Sequence, residues 1–97
     1  MKLTLHPEAE RDLADAAAFY EREASPVLAA RFIGEFKHVV GLLAAHPDIG
    51  APRANGCRSF GLRVFPYSVV YRVRPDGIEV LVVRHDHRRP GFDSRRR

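Results

Sequence analysis

Hydrophobic and polar positions in the first half of the chain recur with the period of an α-helix. In residues 7–23, and again in residues 26–45, apolar side chains return every three or four positions, as on a helix with one buried face. Pro7 and Pro26 suit the first turn of a helix, because the N–H group that proline lacks has no partner there. Ser25 supplies an N-cap to the second helix. We therefore predict two helices joined by a very short turn, which is a helical hairpin.

The second half of the chain changes to the pattern of β-strands. Apolar and polar side chains alternate in residues 58–64 and 67–74. Residues 78–85 are apolar on both faces over most of their length, which is typical of an interior strand. A proline, an aspartate and a glycine at residues 75–77 predict a hairpin turn between the last two strands. A short alternating segment at residues 2–5 predicts an edge strand.

These elements follow each other in the order β-α-α-β-β-β. We predict an α+β fold in which an N-terminal helical hairpin packs on an antiparallel sheet. Residues 47–56 hold two prolines and two glycines and are expected to form a loop before the sheet. Gly34 and Gly41 interrupt the second helix at a cost of about 1 kcal/mol each relative to alanine, so we expect them to mark close packing. The chain of 97 residues has no repeat or long linker, and we expect one domain.

Charge is divided unevenly along the chain. Residues 1–57 carry six basic and eight acidic side chains, a net −2, whereas residues 58–97 carry ten arginines against four acids, a net +6. This segregation predicts one surface that binds a polyanion or an acidic partner. A single cysteine, Cys57, fits a reducing cytoplasm. We expect a cytoplasmic protein without membrane contact, because no apolar run approaches the roughly 20 residues of a membrane span and the start lacks a secretory signal.

Three runs of sequence carry a resemblance to a known family. The second helix closes at AAHPDIG, the sheet contains GLRVFPYSVVYRV, and the last strand ends in VLVVRHDHRRP. In this order the runs resemble the RelE/ParE superfamily of type II toxins over nearly the whole chain. The cluster of histidine and arginine at the end looks more like the ParE-like branch. The resemblance implies a small bacterial protein that halts growth and is neutralised by a cognate antitoxin wrapped around it.

The branch decides which mechanism the resemblance implies. ParE-like members inhibit DNA gyrase, which requires a complementary surface and no proton relay, and this is our leading expectation. RelE-like members cut mRNA in the ribosomal A site, so the partners are the antitoxin with either gyrase or the ribosome and its mRNA. A third possibility is an inert toxin that acts only as a co-repressor, reaching operator DNA through the antitoxin. No cofactor and no metal ion is implied.

Metal-free RNA cleavage needs a base for the 2′-hydroxyl, cations for the phosphate and an acid for the leaving oxygen. The resemblance places Arg63 at a catalytic arginine of RelE-like nucleases and Arg88 near a second one. Either His85 or His87 could shuttle a proton near neutral pH. The nuclease set that we expect is Arg63, His87 and Arg88. The chain departs from the RelE-like pattern twice, because it has no lysine after Lys37 and no tyrosine after Tyr71. An alternative for Arg63 is a structural ion pair with an acid of the first helix.

A binding mechanism would use residues on the last two strands and beyond them. These candidates for contact with the target or the antitoxin are Arg72, Arg74, Arg84, His85, Arg89 and Phe92. Arginine suits interfaces because its planar group donates several hydrogen bonds. Tyr67 and Tyr71 alternate with polar positions and are expected in the core. Residues 91–97 form a basic tail that we expect to be mobile.

Overall fold

The computed structural model describes residues 2–86 of the chain. Its elements are β1 (Lys2–Leu5), α1 (Pro7–Glu23), α2 (Pro26–Ala45), β2 (Ala51–Pro52), β3 (Cys57–Gly61), β4 (Tyr67–Arg74) and β5 (Gly77–His85). Both helices begin and end where the periodicity predicts. His87, Arg88, Arg89, Phe92 and the basic tail lie outside the described residues.

Local capping signals explain why the helix boundaries could be predicted. The side chain of Ser25 accepts a hydrogen bond from the backbone N–H of Leu28 (3.1 Å) at the start of α2. Nδ1 of His6 accepts one from the N–H of Glu8 (3.1 Å) at the start of α1.

Within the described part of the chain, neither helix is long and apolar enough to cross a membrane.

The strands form one sheet in the order β1-β5-β4-β3-β2. Strands β3 to β5 pair antiparallel as predicted, β2 pairs antiparallel with β3, and β5 is an interior strand. However, β1 pairs with β5 in parallel, with Lys2 opposite Gly77 and Leu5 opposite Val80, so the sheet is mixed. Parallel neighbours need a long connection, which the helices and the other strands provide here. Alternation along a strand defines its two faces and not its partner, so the sequence pattern could not give this direction.

The segment predicted as a loop contains a further strand, and the strand that follows it is shorter than predicted. Ala51 pairs with Ser59 at the edge of the sheet. The chain then reverses through Asn55 and Gly56, which have positive φ angles of 63° and 73°. At its other end β3 stops at Gly61 instead of residue 64. Residues 62–66 leave the sheet as a turn, which we call the 62–66 turn.

The core lies between the helical hairpin and one face of the sheet. It contains the buried stripe of α2, the small residues of α1 and the inward side chains of β4 and β5, including Phe32, Phe36, Leu43, Ala9, Ala16, Val69, Ile78 and Val80. Tyr67 and Tyr71 are 6% and 0% exposed, which confirms that both belong to the core. Val73 of the same strand is 43% exposed near the end of β4.

The two helix glycines do not mark close packing. A Cβ atom built on Gly34 or Gly41 has no atom within 4 Å, and both residues are exposed. Replacing either with alanine should therefore raise the free energy of unfolding by up to about 1 kcal/mol, because alanine is the better helix former. The double variant should gain the sum, since distant sites are additive. Urea titration followed by circular dichroism measures this, and a loss of stability in either variant would contradict it.

Candidate functional site

The helices leave one face of the sheet uncovered, and this outer face carries the arginines of β4 and β5. Side chains alternate along a strand, so residues facing away from buried Val69 and Tyr71 lie on the outer face. The register aligns Ser68 with Arg84 at one end and Arg72 with Glu79 at the other. Between these two rows lie Val70 and Val82, which are half-buried and opposite each other. The outer face is therefore an apolar strip with arginine at both ends.

The two arginines of β4 differ in how much charge they offer a partner. Arg74 is held by Glu79, with its Nη2 and Nε atoms 2.8 and 3.2 Å from Oε1. Half of the Arg74 side chain is exposed, so this pair adds at most about 1 kcal/mol to stability and mainly neutralises charge. Arg72 is exposed and forms no ion pair with any acid among residues 2–86. Of the two, Arg72 is the better contact for an acidic partner.

His85 lies on the opposite face of the sheet from Arg84. It pairs with Tyr67 across β4 and β5, and the two rings meet edge to face with their centroids 5.1 Å apart. Tyr67 belongs to an aromatic cluster with Tyr20, Phe32 and Phe65. Arg84 and His85, which are neighbours in sequence, therefore lie on opposite faces of the sheet, and His85 contacts the core.

Burial raises the pKa of the Tyr20 phenol above its usual value, and the neighbouring Tyr67 adds to the shift. The phenol therefore stays neutral at physiological pH and is not a base.

Beside this cluster, Ser68 Oγ donates to Asp86 Oδ1 (2.6 Å), and the Asp86 N–H donates to the carbonyl of Pro66 (2.8 Å). These bonds attach the last described residue to the start of β4.

Arg63 lies in the 62–66 turn, beyond the paired part of β3, and its side chain is exposed. The expected alternative, an ion pair with an acid of the first helix, does not form among the described residues. Instead, the carboxylate of Glu35 on α2 accepts hydrogen bonds from the backbone N–H groups of Arg63 and Val64. The backbone of Arg63 is thus fixed by a helix while its guanidinium faces solvent.

Three charged residues that the sequence patterns did not single out connect separate parts of the fold through backbone hydrogen bonds. One is Glu35. The second, Asp12, is only 6% exposed, and its Oδ2 accepts a hydrogen bond from the Val83 N–H (3.1 Å) beyond the end of β1. The third, Arg58, donates from Nη1 to the carbonyls of Asp48 (3.1 Å) and Gly50 (2.8 Å). A sequence signal existed for Asp12, because it occupies the buried stripe of α1 between Ala9 and Ala16.

The candidates thus fall into separate groups within residues 2–86. Arg72 and Arg84 share the outer face but lie about 13 Å apart along it, since four residues of a strand separate their rows. His85 is on the inner face, and Arg63 is in a turn. Of the proposed nuclease set, only Arg63 is among the described residues. This dispersed, arginine-rich arrangement is suited to contact with a partner.

Comparison with known proteins agrees with this fold. A family model described as ParE toxin of type II toxin-antitoxin system, parDE, matches residues 3–90. Toxin ParE2 of Mycobacterium tuberculosis, in strains CDC 1551 / Oshkosh and ATCC 25618 / H37Rv, is 32% identical over 90 residues, which are 92% of this chain and 85% of that protein.

Two solved structures share the architecture. The chromosomal ParDE TA system from P. aeruginosa aligns with a TM-score of 0.78 and 25% identity, over 88% of this chain and 95% of that one. The isolated E. coli RelE toxin aligns with a TM-score of 0.60 and 17% identity, over 96% and 92%, and shows the shared fold alone. The family match spans most of the chain, and so this protein is a member of the ParE toxin family of type II toxin–antitoxin systems.

Proposed function

We propose that this toxin arrests growth by binding DNA gyrase in the cytoplasm, and that a cognate antitoxin neutralises it. The observation that supports a binding mechanism is the outer face of β4 and β5. Arg84 lies at one end of this face and Arg72 at the other, with the half-buried Val70 and Val82 between them. Arg72 is exposed and forms no ion pair with an acid of residues 2–86. Arginine beside apolar side chains suits contact with a protein partner and requires no proton relay.

The antitoxin is the partner for which the outer face is best suited. An amphipathic segment could bury Val70 and Val82 with its apolar side, while acidic residues meet Arg72 at one end and Arg84 at the other. Arg74 contributes less, because Glu79 already neutralises it. Such segments commonly become ordered on binding. Their side chains then fill pockets on the partner, and their main chain can form hydrogen bonds as well. Operator DNA would be reached only through the antitoxin.

The first experiment is a supercoiling assay with purified gyrase, relaxed plasmid, ATP and toxin freshly released from its antitoxin. We expect blocked supercoiling or accumulation of cleaved plasmid. The matched control is the toxin–antitoxin complex at the same concentration, which should leave supercoiling intact.

Normal supercoiling in the presence of folded, growth-arresting toxin would overturn the gyrase proposal. The ribosome and its mRNA would then be the target to test. In that case His87→Ala should slow mRNA cleavage by about 10²–10⁴-fold, the usual effect of losing an acid or base.

A further inference from the structure

The 62–66 turn is fixed at both ends by the fold. Leu62 and Phe65 are 9% and 5% exposed, so two of its side chains are anchored in the core. The Leu62 N–H donates to the carbonyl of Tyr67, and the Tyr67 N–H donates to that of Phe65, both at 2.8 Å. The turn is therefore a firmly attached part of the sheet's end.

Glu35 fixes the middle of the same turn. Its carboxylate accepts the N–H of Arg63, and both of its oxygens lie within hydrogen-bond distance of the Val64 N–H, at 3.1 and 3.3 Å. Hydrogen bonds to an ionised acceptor are stronger than neutral ones. A backbone held in one conformation loses less entropy when a partner binds. Glu35 thus preorganises the two residues whose side chains point outward.

Those two residues form a small surface of distinct chemistry. Val64 is 66% exposed. Arg63 beside it is exposed and has no ion pair with an acid of residues 2–86. The nearest acid, Glu35, is engaged with the backbone amides. The turn therefore presents an apolar side chain next to a cation on a rigid support.

We propose that the 62–66 turn contacts the growth target directly, with Val64 entering an apolar pocket and Arg63 pairing with a carboxylate at its rim. Glu35 is the positioning residue. The identity of the target as gyrase rests on the function proposed above. A folded enzyme presents a pocket of fixed shape, which a fixed turn can match. An antitoxin segment that orders on binding adapts to its surface and has the outer face available.

The decisive variant is Val64→Thr, which keeps the shape of the side chain and replaces a methyl group by a hydroxyl. Valine has no acid–base chemistry, so an effect here reports contact and not proton transfer. We expect the toxin concentration that half-inhibits gyrase to rise about tenfold, the scale of burying a hydroxyl group without a hydrogen bond. Antitoxin affinity, measured by calorimetry, should not change. Val73→Thr at the far end of β4, 43% exposed, is the matched control and should inhibit like the parent.

Glu35 is tested by a pair of variants. Glu35→Ala should weaken inhibition as Val64→Thr does, while Glu35→Gln, which keeps a carbonyl acceptor, should recover part of it. Thermal unfolding and antitoxin binding show that each variant is folded. If Glu35→Ala inhibits gyrase as strongly as the parent, Glu35 does not position the turn for binding to the target.

Growth arrest on induction of each variant tests the role of the 62–66 turn independently of the proposal that gyrase is the target. If the parent toxin arrests growth without inhibiting gyrase, and Val64→Thr loses arrest but binds antitoxin, the gyrase target is wrong and the turn's role stands. If Val64→Thr arrests growth and inhibits like the parent, or if it loses antitoxin affinity in parallel, the turn is not a target contact.

Discussion

Replacing Gly77 with alanine should lower the free energy of unfolding by about 3 kcal/mol or more, the upper range for overpacking. Gly77 is buried at the start of β5, opposite Lys2 of β1. A Cβ atom there would collide with the carbonyl oxygen of Lys2 and lie 2.6 Å from its carbonyl carbon and 2.8 Å from its nitrogen. These are backbone atoms, so no side-chain rotation relieves the clash and β1 must move away.

Gly61→Ala is the matched control for this prediction. It also changes a strand glycine, but the new Cβ atom would meet nothing closer than Ser68 Oγ at 3.8 Å. We expect a change within about 0.5 kcal/mol for this variant in urea denaturation followed by circular dichroism. If the two variants unfold at the same denaturant concentration, the parallel pairing of β1 with β5 is not part of the native fold.

The second large effect is expected for Tyr71→Phe. Tyr71 is 0% exposed, and its hydroxyl accepts the Gly50 N–H (3.0 Å) and donates to the carbonyl of Pro47 (2.6 Å). Removing the hydroxyl leaves the buried Gly50 N–H unsatisfied, which costs about 1–3 kcal/mol. The free energy of unfolding should fall by that amount, and the Gly50 amide should exchange faster with solvent deuterium.

The control for Tyr71 is Tyr20→Phe. The Tyr20 hydroxyl makes no hydrogen bond to another of the described residues, so its loss should change stability by less than about 0.5 kcal/mol. Tyr71→Phe should still arrest growth at low temperature, because a fully buried side chain cannot contact the target. Loss of arrest in a folded Tyr71→Phe variant would show that the 47–50 segment takes part in function.

The helices could be predicted to the residue because their signals are local. Pro7, Ser25 and Pro26 mark the helix starts within one turn of the chain, and the apolar stripes do the rest. The sheet was less predictable. The apolar–polar alternation of the sequence continues to Val64, but β3 ends at Gly61. Leu62 enters the core from the turn that follows, and Val64 is exposed there. The direction of β1 depends on a partner at the other end of the sequence.

The arrangement of the candidate residues could not be predicted from the sequence. The arginines of β4 and β5 were identified from composition and resemblance, but only the register shows which of them share a face. Glu35 and Asp12 bind backbone groups that are 28 and 71 positions away in sequence. The place of Asp12 in the buried stripe of α1 indicates that it is buried, but no short motif identifies the partner of either residue. The roles of His87, Arg88, Arg89 and Phe92 stay predictions, since these residues lie beyond the described part.

The parallel pairing of β1 with β5 also sets the order of events during synthesis of the toxin. Ribosomes make the chain from its N-terminus at roughly 5–20 residues per second, so β1 emerges first and its neighbour in the sheet emerges last. Until β5 arrives, β1 has no strand to bind, and the buried Asp12 lacks the Val83 N–H that it accepts in the finished fold. A nascent chain that stops before β5 cannot complete the sheet. The sheet can therefore be completed only after β5 has left the ribosome, which gives an antitoxin the whole period of elongation in which to be present first.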